Sequence, residues 1–179
     1  MGTLPIATLA GLGTLCWASL FEYFVHRVGY HAHSAWPAAR LDHVLHHDVY
    51  YPPRAYFEWG PGYRHSHPWW VETVYVALHA GPLILLARHA LAPAVVATAV
   101  LVVYALAVHY VHPAVHRRTG RWWERTRWFK RMIALHAIHH RDQEVNFNFV
   151  LPLGDLLFGT YAPPRRSPRP PLAIEAADH

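Results

Sequence analysis

The chain has 179 residues, 53% of them hydrophobic and 14% aromatic, which excludes a disordered segment and suits one domain of ordinary size. Lys and Arg number 16 against 11 Asp and Glu, a basic balance that alone admits a nucleic acid or an anionic membrane surface as partner. Cys16 is the only cysteine, so an intrachain disulfide and a thiolate metal cluster are both excluded, whereas 17 histidines need a role.

Residues 4–21 run 18 positions without a formal charge, long enough for a transmembrane helix. No basic residue precedes this stretch and no small-residue cleavage site follows it, so it is expected to stay in the protein rather than leave as a signal peptide. His26 and His31 follow, five residues apart. On an ideal α-helix that spacing leaves them about 140° apart, and Gly29 between them is expected to end the helix and let His31 turn back. His43, His46 and His47 form an H-x-x-H-H triplet, whose i, i+3 and i+4 spacing places all three on one helical face.

Residues 73–87 are apolar but contain Gly81 and Pro82, and 15 residues at about 1.5 Å each fall short of a hydrocarbon core of about 30 Å. This segment is expected to start earlier, at Trp69 and Trp70, or to be a kinked or partial span. Residues 91–111 are uncharged and rich in alanine and valine, a clear second span. At its end His109 and His112 stand at i, i+3 and His116 at i+4 from His112, with Pro113 leaving helix continuity open.

Residues 120–132, G-R-W-W-E-R-T-R-W-F-K-R-M, interleave aromatic with basic side chains, as an interfacial helix against anionic headgroups does. A nucleic-acid partner would use the same residues, but the apolar spans argue against it. A second triplet, His136, His139 and His140, repeats the first. After Tyr161 the sequence A-P-P-R-R-S-P-R-P-P is expected to be extended, giving a membrane domain over 1–161 and a Pro/Arg-rich flexible tail over 162–179.

With three spans, Arg88 alone falls in the short 88–90 connection and the other 15 Lys and Arg lie on the opposite side. The positive-inside rule then puts both triplets on the cytoplasmic face. The expected fold is all-α: an integral membrane bundle of about three to four transmembrane or membrane-embedded helices with a cytoplasmic, histidine-lined dimetal site.

About ten clustered imidazoles would repel one another if protonated and would be costly if buried unpaired, and metal binding removes both problems. Neutral imidazole ligates Zn, Fe, Cu and Ni, and this many ligands exceed what one ion needs, so two metals are implied. His33, His65, His67, His79, His89 and His179 have no histidine at these spacings and are assigned structural roles. No Ser-His-Asp arrangement, glycine-rich phosphate loop or paired-carboxylate signature is present, which leaves redox chemistry. A pair of irons supplies O2 activation strong enough to attack a C–H bond. A haem-bearing membrane electron carrier is the alternative of another class, and a zinc-stabilised scaffold a third.

The ordered set E-Y-F-V-H-R-V-G-Y-H (22–31), H-V-L-H-H (43–47), H-P-A-V-H (112–116) and H-A-I-H-H (136–140) resembles the histidine pattern of the fatty acid hydroxylase and sterol desaturase superfamily. N-F-N-F-V-L-P-L-G-D-L-L-F-G-T-Y (146–161) is similar to that family's terminal signature. The resemblance covers about residues 20–161. It implies His26, His31, His43, His46, His47, His112, His116, His136, His139 and His140 as metal ligands, with His109 as an additional or alternative one, and supporting roles for Asn146 and Asp155. It also implies two Fe ions, for which Zn substitutes in purified protein, O2 as co-substrate, and a lipid substrate such as a fatty acyl chain or sterol. Electrons would come from a separate donor of ferredoxin or cytochrome b5 type with its reductase. Two departures are that the family's Gly is Asn148 and its Trp is Gly154. The triplet order is also similar to that of bacterial carotenoid hydroxylases, which makes a carotenoid ring hydroxylase a second candidate. No C-terminal ER-retrieval signal is visible, so a bacterial inner membrane is expected rather than the ER.

Overall fold

Residues 3–31, 37–54, 56 and 70–164 are described in the computed structural model of the protein. His33, His65, His67, His179, Trp69 and the tail beyond 164 lie outside them. Among the described residues every regular element is helical. Helix α1 spans Thr3–Phe24 and continues as a π-helix over Val25–His31; α2 spans Pro37–Leu45 and continues as a π-helix over His46–Tyr50. There follow α3 (Trp70–Ala77), α4 (Ala80–His89), α5 (Leu91–His116), a 3₁₀ turn (Trp122–Arg125), α6 (Arg127–Arg141) and the short α7 (Leu153–Leu157).

Two stretches, Leu4–His31 and Leu91–His116, are long and apolar enough to cross a membrane. A core helix of a soluble protein has the same composition but is mostly buried. Here Leu4, Leu9, Leu12, Val95 and Val103 are all more than half exposed, an outward apolar surface suited to lipid and not to water. The short apolar segment before α5 is divided: α3 and α4 meet at Leu78 and His79. Pro82 falls in the first turn of α4, where its missing N–H costs little.

Helices α1 and α5 pack side by side and run parallel. Gly11 lies against Val96, where a Cβ would stand 3.0 Å from a valine methyl, and further along Ala18 packs with Leu101 and Tyr104. Between them the chain returns through α3 and α4: the Tyr75 hydroxyl donates to the Ala18 carbonyl, and one turn later Trp17 Nε1 donates to His79 Nε2 at 2.8 Å. The C-terminal ends of α1 and α5 therefore sit at the same end of the bundle. Helix α6 packs against that end of α5 through Val111, Ala114, Val115, Phe129, Met132 and Leu135, which places its histidines beside those of the two long helices.

Two local expectations are revised and one open point is settled. The helix does not end at Gly29; it widens into π geometry, and i→i+5 bonding brings residues five apart onto one face. Pro113 does not interrupt α5, which continues to His116 and keeps His112 and His116 on one face. The aromatic and basic stretch 120–132 is not one helix. Its 3₁₀ turn ends at Thr126, whose hydroxyl accepts from Phe129 N and starts α6. Trp122 remains the most outward of its tryptophans, whereas Trp123 packs on the α5–α6 core.

Candidate metal centre

Nine of the ten expected ligand histidines fall into two groups, each with its ligand atoms within 4.8 Å of one another. The first holds His26, His31, His43, His47 and His139; the second holds His46, His116, His136 and His140. All but His31 are buried. The two triplets divide between the groups in a reciprocal way. His43 and His47, at i and i+4, join the first group and His46 crosses to the second; His136 and His140 join the second group and His139 crosses to the first. Each helix face thus lines both groups. The π-helical end of α1 makes His26 and His31 neighbours, with Nε2 atoms 3.3 Å apart.

Within the groups, Nε2 atoms face one another at 2.8–3.3 Å. Two nitrogens bound at about 2.1 Å to one ion stand about 3.0 Å apart at a right angle and about 3.4 Å apart in a tetrahedron, so this spacing is that of ligands sharing an ion. Proton accounting agrees. His26 Nδ1 donates to the Phe147 carbonyl and His139 Nδ1 to that of Val145 at 2.7 Å. In the second group His116 Nδ1 donates to the Tyr56 carbonyl at 3.2 Å and His140 Nδ1 to that of Tyr51 at 2.8 Å. A neutral imidazole has a single N–H, so these four rings present bare lone pairs at Nε2, aimed inward. His31 Nε2 touches those of His26, His43 and His139 and carries at most one proton among them. A cation at each centre satisfies all of these lone pairs at once. The residues present fit two metal ions.

The electrostatics favour the ligating form. Burial, reinforced by neighbouring imidazoles, holds His43, His46, His47 and His136 well below the ordinary histidine range, and burial lowers His139 in the same direction. His140 is pushed down to about 4, again by burial. All six are neutral at physiological pH, the state a metal requires.

His112 adjoins the second group without joining it: its ring centroid is 4.8 Å from that of His46 and 5.1 Å from that of His136. His109 is half-buried against Tyr110 and is brought to neither group. His79 is satisfied at both ring nitrogens, by Trp17 Nε1 and the Tyr75 carbonyl, and His89 is exposed at the end of α4; neither belongs to a group.

Asn146 and Asp155 shape the loop that carries the Val145 and Phe147 carbonyls. Asn146 adopts a left-handed backbone, φ 58°, and its side-chain amide bridges to the backbone of Ala162. Asp155 accepts from Phe147 N, Asn148 N and the Thr160 hydroxyl; burial raises its carboxyl and these bonds oppose the rise. The two family departures become intelligible here. Asn148 joins its side chain to Glu22 and to the Ser19 carbonyl. Gly154 lets Tyr23 lie where a side chain would stand.

Besides the Val145 and Phe147 carbonyls, sequence reasoning missed Tyr51, Tyr56, Phe149 and Glu22. Tyr51 and Tyr56 act through backbone carbonyls, which carry no residue signature; Tyr51 also stacks on His116 with centroids 4.0 Å apart. Phe149 stacks on His26 of the first group and meets His136 of the second edge-on, both at 4.9 Å, and stacks on His112 at 4.4 Å, and thereby touches both groups. Glu22 was the legible one, a carboxylate directly after the apolar run 4–21, and it is buried. A cavity of about 90 Å³ lies between α1, α3 and α5, beside Phe149, and is lined by Val25, His26, Tyr30, Ala105 and Val108 with Glu22 at its wall.

The fatty acid hydroxylase family matches the sequence over residues 11–160. The chain belongs to the fatty acid hydroxylase family. That membership, with its two long apolar helices, makes it a membrane-associated oxidoreductase of lipid hydroxylase or desaturase type. No curated protein and no solved structure matches it.

Proposed function

We propose that this fatty acid hydroxylase is a membrane di-iron oxygenase that hydroxylates a C–H bond of an acyl or sterol lipid. The observation that carries the reading is the pair of adjoining histidine groups, whose inward lone pairs match two ions and whose shared wall, Phe149, borders an apolar cavity. Iron supplies activation of O2 and the oxidising power to attack an unactivated C–H bond. The balance is R–H + O2 + 2 e⁻ + 2 H⁺ → R–OH + H2O, with the electrons from a separate donor protein of ferredoxin or cytochrome b5 type. Desaturation follows from the same oxidant when a second hydrogen is removed instead of oxygen being added.

The chain's own residues do the rest. The first group is held by π-helical α1, by α2 and by α6, the second by α2, α5 and α6, so the ligands are fixed on helices rather than on loops. Val25, Ala105 and Val108 give the cavity an apolar wall that excludes water and suits a lipid chain. The excess of Arg and Lys outside the 88–90 connection supports a cytoplasmic histidine end by the positive-inside rule, and a bacterial inner membrane is the membrane proposed for it. A haem carrier is disfavoured, since a macrocycle held between two imidazoles needs a slot that nitrogens about 3 Å apart do not leave.

The test is lipid mass spectrometry of cells with and without the protein, grown in iron-supplied medium under ¹⁸O2. A lipid heavier by one ¹⁸O atom only in expressing cells supports hydroxylation, and loss of two hydrogens supports desaturation. An unchanged lipid profile, with the purified protein holding its iron and receiving electrons, contradicts the oxygenase reading.

A further inference from the structure

Glu22 is 6% exposed and lies one helical turn before His26 on α1, yet it touches no member of either histidine group within hydrogen-bonding distance. Its carboxylate is spent elsewhere. Oε2 accepts from Tyr104 OH at 2.6 Å and from Asn148 Nδ2 at 2.9 Å; Oε1 accepts from Phe149 N at 2.9 Å. Asn148 Nδ2 also donates to the Ser19 carbonyl. Three bonds to one buried carboxylate make a firm anchor, because a donor stranded in this apolar surrounding is costly.

The anchored segment is the one that orients the first group. Phe147 presents its carbonyl to His26 Nδ1, and Val145 presents its own to His139 Nδ1. Asp155 holds the same segment from its other side, through Phe147 N and Asn148 N at 2.9 Å each. The second group draws on a different stretch, the Tyr51 and Tyr56 carbonyls, with which Glu22 makes no bond. The hydrogen bonds that orient the two groups are therefore separate, and Phe149 meets the second group only through ring packing on His136.

We infer that Glu22 is a positioning residue: by clamping Asn148 and Phe149 it holds the 145–149 loop so that His26 and His139 present Nε2 to the first metal, while the second metal is independent of it. This rests on the reading that each histidine group binds an ion. Removing a partner that orients a ligand imidazole typically lowers metal affinity by about 10–100-fold. Glu22→Gln keeps one acceptor oxygen but turns a donor toward Tyr104 and Asn148, so its loss is smaller than that of Glu22→Ala.

The experiment is a count of zinc ions kept per full-length chain in detergent after dialysis against a graded chelator series. Zinc binding tests the clamp apart from any oxygenase activity. The expected result is two ions for the wild type and one for Glu22→Ala at intermediate chelator strength, with Glu22→Gln between them. Adding His47→Ala to Glu22→Ala should leave the count at one, because both changes strike the first group; adding His116→Ala should take it to zero. Equal weakening of both ions in both Glu22 variants, or two ions held as tightly as in the wild type, overturns the inference. Should Glu22→Ala fail to fold, the Glu22→Gln titration decides alone on the same criterion. A wild type that holds fewer than two ions contradicts the two-metal reading itself.

Discussion

His47 and His140 face each other with ring centroids 4.1 Å apart, yet they belong to different metal groups. Each is the last histidine of its triplet. Between them runs the boundary of the two sites, and their closeness means the sites are neighbours that share a wall. The H-x-x-H-H spacing serves this arrangement: i and i+4 line one group, and the residue at i+3 reaches across to the other.

The first prediction follows from that division. His43→Ala and His136→Ala each remove one ligand of a single group, so each should lower the iron content of purified protein from two ions per chain toward one. His89→Ala and His109→Ala, outside both groups, should leave it unchanged. Iron analysis by mass spectrometry reads all four, and a full loss in His109→Ala would return that residue to the ligand set.

Phe149 touches rings of both groups, His26 and His136, and borders the cavity. Phe149→Ala should therefore change which carbon is attacked, by letting the substrate chain slide deeper, while metal content stays at two. Product position by tandem mass spectrometry checks this. An unaltered product with unaltered rate would remove Phe149 from the substrate wall.

Gly154 is required by packing rather than by backbone conformation. A Cβ there would clash with Tyr23 Cβ, which the α1 backbone holds in place. Gly154→Ala should destabilise by about 1–3 kcal/mol, as overpacking does, seen as a fall of several degrees in Tm in detergent. At Gly13 nothing lies within 4 Å, and Gly13→Ala should produce no fall.

The metal-free protein should lose stability in acid. Burial sets His140 at about 4 and lowers His43, His46, His47, His136 and His139, whereas in the unfolded chain each titrates near 6.5. Above that value both states are neutral and the groups are neutral to stability. As pH falls below it, only the unfolded chain takes up protons, and each such histidine costs about 1.4 kcal/mol per pH unit until its folded pKa is reached. Thermal melts of chelator-treated protein between pH 8 and pH 5 should show Tm falling with pH; a flat profile would mean that the cluster is not buried as the structure has it.

Much of this was legible in the sequence because histidine carries its chemistry in its identity. Spacing alone brought His43, His46 and His47 to one region and His136, His139 and His140 to another, and hydropathy marked α5. What spacing could not give was the assignment of ligands to ions, since i+3 and i+4 both count as one face until a second helix is placed opposite. The π geometry of residues 25–31 was also hidden: no propensity distinguishes a widened turn, and an ideal α-helix would have separated His26 from His31. The supporting carbonyls of Val145, Phe147, Tyr51 and Tyr56 are invisible because every residue has one. Glu22 stood in view as a carboxylate at the end of an apolar run, but only the folded chain shows that it holds Asn148 and Phe149.

The central claim is a two-iron centre built from the two divided triplets, and the most direct measurement is the iron stoichiometry and spectroscopy of protein purified without oxygen from iron-supplied cells. The account predicts two irons per chain, histidine-ligated and magnetically coupled when oxidised, with His139→Ala reducing the count. One isolated iron per chain, a haem absorption band, or an iron content unaffected by His139→Ala would contradict it.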